Sequence, residues 1–205
     1  MLSILSPQSA RRTVSYAQTG FGVGAVHYVI DTKASQFTVQ AFASGLISVV
    51  AHSPKIAVRD WQGEVRFTPD SNDSCVSIRA KTGSLEVLDE LNEQDRRQLL
   101  RVMHHEVLEI EKFPEFSFES SEIEVHRQKE ASFQVSIRGR LTLHGVIDGE
   151  SLVAHVALGV DTFRAYGEFT ILQTNYGIKV AQIAGGTLKL QDELKCTFYV
   201  MGRKG

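Results

Sequence analysis

Between Phe133 and Leu143 the chain reads Phe-Gln-Val-Ser-Ile-Arg-Gly-Arg-Leu-Thr-Leu. Apolar residues or glycine take the odd positions: Phe133, Val135, Ile137, Gly139, Leu141 and Leu143. Polar residues take the even ones. Strict period-two alternation sends successive side chains to opposite faces of a β-strand, one dry and one wet. At roughly 3.3 Å per residue the run spans about 35 Å, against about 17–20 Å for an ordinary strand. Gly139 falls on the dry face, where a packed core calls for a side chain. A glycine there marks a bend or a close approach of another group. The stretch predicts a long antiparallel strand in a sheet wrapped around an interior with unfilled space.

The same signature recurs along the chain. Phe37, Val39 and Ala41 alternate with Thr38 and Gln40. Ile56 and Val58 hold one parity, and Trp61, Val65 and Phe67 the other, which predicts a bulge near Asp60. Val76, Ile78 and Ala80 give way across Gly83 to Leu85 and Val87 on the opposite parity, a second predicted bulge. Further strands are read at Phe116–Phe118, Ile123–Val125, Leu152–Val160, Phe163–Ile171 and Leu188–Val200. Gly145 and Asp148-Gly149 suit hairpin turns.

One segment reads as helix, Asn92 to Leu108. Asn92 is placed to cap it, and Glu93 and Asp95 fall in the first turn, where the helix dipole favours acids. Leu100, Met103 and Val107 form the predicted buried stripe, and His104 and His105 the solvated face. The sum is about eight strands and one inserted α-helix. A flat sheet needs a second layer over its apolar face, and one helix cannot supply it. Closure into an all-β antiparallel barrel covers that face and removes the sheet edges.

Composition narrows the function. A net charge of −2 and a pI near 6.4 give no electrostatic reason to expect nucleic acid as a partner. No apolar run approaches the roughly 18 residues of a membrane span. The early apolar cluster Leu2–Leu5 is too short for a secretory signal, which predicts a cytoplasmic protein. Cys75 and Cys196 stand in no metal spacing and are expected as reduced thiols. Residues 1–24 read as a flexible arm and 25–205 as a single domain. No cofactor and no metal site are expected, and a homodimer is left open.

The histidines are weighed as catalysts first. His104 and His105 are adjacent on a helix and point about 100° apart, so they do not share a metal easily. His144 and His155 have outward parity. His52 is the best functional candidate, in the irregular segment Gly45–Pro54 beside Leu46–Val50, at the expected barrel mouth. It has no visible orienting acid or nucleophile partner. The phenylalanines are the largest set with inward parity: Phe37, Phe67, Phe133, Phe163, Phe169 and Phe198. They read either as a filled core or as the wall of an apolar pocket. Small inward residues, Gly139, Ala154, Ala165 and Gly167, favour the pocket.

The residues also resemble a known family. Tyr28-Val-Ile-Asp31 followed by Ser35-x-Phe37, Ala51-His52 with Trp61-x-Gly63, and Lys112-Phe-Pro-Glu-Phe-Ser-Phe118 are similar to segments of the YceI-like family. Gly139-x-Leu-Thr-Leu-His-Gly145 is the most recognisable element, and Thr174-Asn-Tyr-Gly-Ile178 resembles a late turn of that family. The resemblance covers His27 to Val200. The chain departs from the pattern at Val146-Ile-Asp148, at Gln173 and at Asn175. It implies a lipocalin-like barrel that binds polyisoprenoids or other long-chain amphiphiles, among them quinones and fatty-acid derivatives, without catalysis. The rival reading is an enzyme acting on a lipid or quinone with His52 at the mouth.

Under the barrel reading, the ligand contacts are expected at Phe37, Val39, Ile47, His52, Trp61, Phe67, Met103 and Phe118. On the late strands they are expected at Phe133, Val135, Ile137, Leu141, Phe163, Phe169 and Phe198. Gly45–Pro54 is expected to gate the opening.

Overall fold

The structure, a computed structural model, describes residues 24–44, 53–69, 73–180, 182–183 and 188–205. The strands are β1 (Val26–Ile30), β2 (Gln36–Ser44), β3 (Lys55–Val58), β4 (Trp61–Phe67), β5 (Cys75–Lys81) and β6 (Leu85–Val87). They continue as β7 (Glu115–Lys129), β8 (Ser132–Leu143), β9 (Val146–Leu158), β10 (Thr162–Leu172), β11 (Gln182–Ile183) and β12 (Leu188–Lys204). Hydrogen-bonded neighbours run β1-β4-β5-β7-β8-β9-β10-β12, and β12 returns to β1. The result is a closed eight-strand antiparallel barrel, as the alternation predicts.

The first three staves are each broken in two. β1 and β2 are separated at residues 31–35, β3 and β4 at 59–60, and β5 and β6 by a 3₁₀ turn at Thr82–Ser84. The last two breaks fall at the parity switches near Asp60 and Gly83, where the alternation predicts bulges: the strands end there instead, the second in a 3₁₀ turn. Hydrogen bonds hold the breaks, the second to the third and the first to β12. The Asp60 N–H donates to Ser84 Oγ at 3.0 Å, and the Lys81 N–H donates to the Asp60 carbonyl at 2.9 Å. Ser35 Oγ donates to the Asp31 carbonyl at 2.6 Å and accepts from the Met201 N–H at 2.9 Å.

These aligned breaks crease the wall. Below the crease β1, β4 and β5 belong to the closed barrel. Above it β2, β3 and β6 pair in a flap that branches from β12. β5 continues the ladder onto β7, but among the described residues β6 pairs with β3 alone, so the wall opens between β6 and β7.

The helical segment fills that opening. Helix α1 (Glu93–Arg101) starts as expected, with the Asn92 side chain accepting from the Asp95 N–H at 2.9 Å. From Val102 to Val107 it is a π turn, with the Leu108 N–H reaching back to the Met103 carbonyl. One extra residue in the turn rotates the buried stripe away from the simple helical period. Met103 is buried, while Leu100 is only half-buried, and Leu99 and Val102 join the inward side.

Two further expectations are corrected. Asp148-Gly149 is no turn: both residues lie within β9. The hairpin between β8 and β9 turns at His144 and Gly145, both with positive φ, 51° and 75°. Two consecutive residues in that region make the tight turn whose twist suits a hairpin. Val160 is not on a strand either: β9 ends at Leu158. The parity change along β7, from Phe116 and Phe118 to Ile123 and Val125, comes from a register shift between Ser120 and Glu122.

Candidate functional site: an apolar barrel interior

The inward faces do not fill the barrel. A cavity of about 150 Å³ lies within the closed part, and apart from Ser74 its lining side chains are all apolar. A larger cavity of about 740 Å³ lies above the crease, between the flap, the helical segment and the upper ends of β8, β10 and β12. Phe37, Phe116, Leu141 and Phe169 line both, so they form the waist between the two chambers. The larger volume falls in the roughly 300–1,000 Å³ range of ordinary small-molecule sites.

The opposite end is shut by aromatic packing. Tyr28 meets Phe163 edge-on at 5.0 Å, and Phe67 meets Phe133 edge-on at 5.4 Å. Such pairs add to the stabilisation that burial alone supplies. Tyr28, Phe133 and Phe163 are each at most 3% exposed.

The residues expected to contact ligand distribute as follows. Phe37, Leu141 and Phe169 stand at the waist. Trp61, Phe67, Phe118, Val135, Ile137, Phe163 and Phe198 line the smaller chamber. Val39 and Met103 line the larger one. Phe133 lines neither: it is part of the packed base, with the Arg127 guanidinium 4.9 Å from its ring centre. Ile47, His52 and nearly all of the expected gate lie outside the described residues.

The small inward residues are not all gaps. The Phe118 ring lies across Gly139, where it would collide with any Cβ. The Phe198 ring covers Gly167, its Cζ 2.8 Å from where a Cβ would stand. Aromatic cover over a strand glycine restores packing that the missing side chain loses. Ala154 and Ala165 do border the smaller chamber.

Some lining residues carried no separate signal. Phe116, Leu194 and Cys196 share the inward parity of their strands and were legible in principle. The polar rim was not: Asp95, Gln98, Arg101 and Glu106 on the helical segment also border the larger chamber. Exposed charges on a helix look the same whether they face solvent or a cavity mouth.

Three groups fix the upper end. Tyr176 follows β10 in a 3₁₀ turn, is fully buried, and donates its hydroxyl to Glu150 Oε1 at 2.5 Å. Burial, reinforced by that hydrogen bond, holds its phenol protonated far above the usual range. Burial also pushes the Cys196 thiol up to about 12, with the Glu150 charge adding to it. A thiol this reluctant to ionise is a poor nucleophile.

His144 is the third. Its side chain is 12% exposed, with Nε2 3.0 Å from Glu109 Oε2 and Nδ1 3.3 Å from the Tyr176 carbonyl. The Phe113 ring packs against it at a tilt of 52°, centre to centre 4.2 Å. It is a turn residue and not an outward-facing strand residue, and it ties the β8–β9 hairpin to the loop after the helix. His155 is exposed and stacks on Tyr166, in keeping with outward parity. His104 departs from expectation: its Nε2 is enclosed and has no hydrogen-bond partner among the described residues. No group of three or more His, Cys, Asp or Glu among the described residues is set to hold a metal. None of the described helices is long and apolar enough to cross a membrane.

The sequence profile of the YceI-like domain matches residues 28–201. The chain belongs to the YceI-like family. Its fold is shared by BcnA of Burkholderia cenocepacia, at TM-score 0.65 and 15% identity over 84% of this chain and 98% of that one. It is also shared by a polyisoprenoid binding domain from Saccharophagus degradans implicated in plant cell wall breakdown, at TM-score 0.61 and 13% identity over 88% and 99%. The YCEI protein of Campylobacter jejuni aligns at TM-score 0.57 and 16% identity, over 76% and 87%. No curated protein matches the sequence significantly. At these identities the likeness is one of fold. This YceI-like barrel owes its two chambers to the crease and the inserted helix.

Proposed function

We propose that this protein binds one long-chain amphiphilic lipid, a polyisoprenoid, quinone or fatty-acid derivative, and carries or sequesters it with the tail in the barrel. The observation that supports this most is the pair of apolar chambers meeting at Phe37, Phe116, Leu141 and Phe169. Below the polar rim of the larger chamber their lining is mainly apolar and offers a tail mostly contact, and each buried methylene is worth about 0.8 kcal/mol. Ten such groups give roughly 8 kcal/mol before ordering costs, whereas one neutral head-group hydrogen bond nets about 1 kcal/mol. Affinity therefore follows the tail.

The proposed role is non-catalytic. Cys196 is the thiol on the chamber wall, and burial keeps it protonated. The proposed location is the cytoplasm, a reading that the free thiols of Cys75 and Cys196 support.

The test is a chain-length series of straight-chain alcohols, read by quenching of Trp61, the only tryptophan and a residue on the smaller chamber's wall. The expected result is a fall in Kd of about fourfold per added methylene until the chambers fill. Affinity independent of tail length contradicts the reading.

A further inference from the structure

The helical segment does more than close the wall. Among the described residues that border the larger chamber, the charged ones are Asp95, Arg101 and Glu106, all on this segment, with the Gln98 amide between them. The guanidinium is already engaged: Arg101 Nη2 lies 3.1 Å from Glu106 Oε1. Asp95 Oδ2 accepts from Asn92 Nδ2 at 2.7 Å, and its carboxyl has no cationic partner there among the described residues. The rim thus holds two carboxylates and one guanidinium, and that guanidinium is shared with a carboxylate.

Anionic heads, phosphates above all, are held by unshared Arg or Lys, best in bidentate geometry. A diphosphate or carboxylate at this rim would have to take Arg101 from Glu106 and then stand beside two uncompensated acids. Gln98, by contrast, offers both a donor and an acceptor to a hydroxyl, carbonyl or amide.

We propose that the Asp95–Gln98–Arg101–Glu106 rim selects amphiphiles with a neutral polar head and rejects those with an anionic one. The inference rests on the lipid-binding reading above and adds the class of head group. Glu106 is the residue that sets the selectivity, because it neutralises the rim's guanidinium. Its side chain is exposed, so it can be replaced without opening the core.

The test uses three ligands with the same tail: geranylgeraniol, geranylgeranyl diphosphate and geranylgeranylamine, titrated into lipid-stripped full-length protein and followed by Trp61 quenching. The expected order puts the alcohol at least tenfold tighter than the diphosphate, with the amine, which the rim's extra carboxylate attracts, also tighter than the diphosphate. In Glu106→Lys the ratio of diphosphate to alcohol affinity should rise at least fivefold, with circular dichroism confirming the fold. Equal or tighter binding of the diphosphate by the unaltered protein overturns the inference and leaves the lipid-binding reading standing. So does an amine that binds as weakly as the diphosphate, or a ratio that Glu106→Lys does not move. If none of the three binds, the lipid-binding reading falls and takes this inference with it.

Discussion

The Phe118 ring, carried on β7, lies across Gly139 on β8 and occupies the space its side chain would need. The register makes this diagonal, since Phe118 stands opposite Leu141 and Ser120 opposite Gly139. The glycine in the middle of the longest alternating run therefore makes room for an aromatic wall. The Phe198 ring over Gly167 repeats the device on β12 and β10.

Adding a methyl at these positions should therefore destabilise. Gly139→Ala sets a Cβ against the Phe118 ring and the Glu119 carbonyl, and should cost about 1–3 kcal/mol in urea denaturation, as overpacking does. Gly139→Ala combined with Phe118→Leu should recover part of that loss. Larger substitutions at Gly139 or Gly167 should unfold the barrel before they fill the chamber.

Met103 is 7% exposed and sits where the helical segment meets the larger chamber. Met103→Asp removes apolar contact worth roughly 1.5–3 kcal/mol and buries an unpaired charge. The variant should show a lower Tm and weaker lipid binding, while Met103→Leu should keep both close to normal.

The hairpin anchor gives a local prediction. His144→Ala removes the contacts to Glu109 and to the Tyr176 carbonyl and uncovers Phe113. Hydrogen exchange should speed up in the loop 109–113 and in the turn Gln173–Tyr176, and stay unchanged in β8 below Leu141. Loss of the two bonds should cost about 1–3 kcal/mol.

The buried thiol predicts a pH dependence. Cys196 loses its proton near its ordinary 9.0 when unfolded, but only near about 12 when folded. The unfolded state thus gains by ionising where the folded state cannot. The contribution to stability is full below 9.0 and is lost as the pH rises from there toward 12. Tyr28 and Tyr176 are also raised by burial and act in the same direction at still higher pH. Cys196→Ala should therefore lose less stability between about pH 8 and pH 11 than the parent does. A parallel decline would show that the thiol is not involved.

Most of the barrel was legible in the chain because a strand with one dry face writes its geometry directly into alternation. The parity switches at Asp60 and Gly83 marked the crease for the same reason. What pairs diagonally was not legible: Gly139 reads as a gap until the register brings Phe118 beside it. Asp148-Gly149 has turn chemistry, yet His144 and Gly145 make the turn, because Gly149 pairs with Arg140 in the ladder. The π turn escapes a reading that assumes one helical period. The site was half-legible: parity finds the apolar wall residues, but it does not separate Phe133 in the packed base from Phe163 at the chamber's edge. The rim charges escape altogether, since nothing local distinguishes Glu106 at a cavity mouth from a solvated glutamate.

The claim that the interior is built for a lipid tail is tested most directly by native mass spectrometry of freshly purified protein. The account predicts a population carrying one lipid per chain, and an emptied protein that takes up one added long-chain alcohol. A chain that purifies empty and stays empty with that alcohol in excess would contradict it.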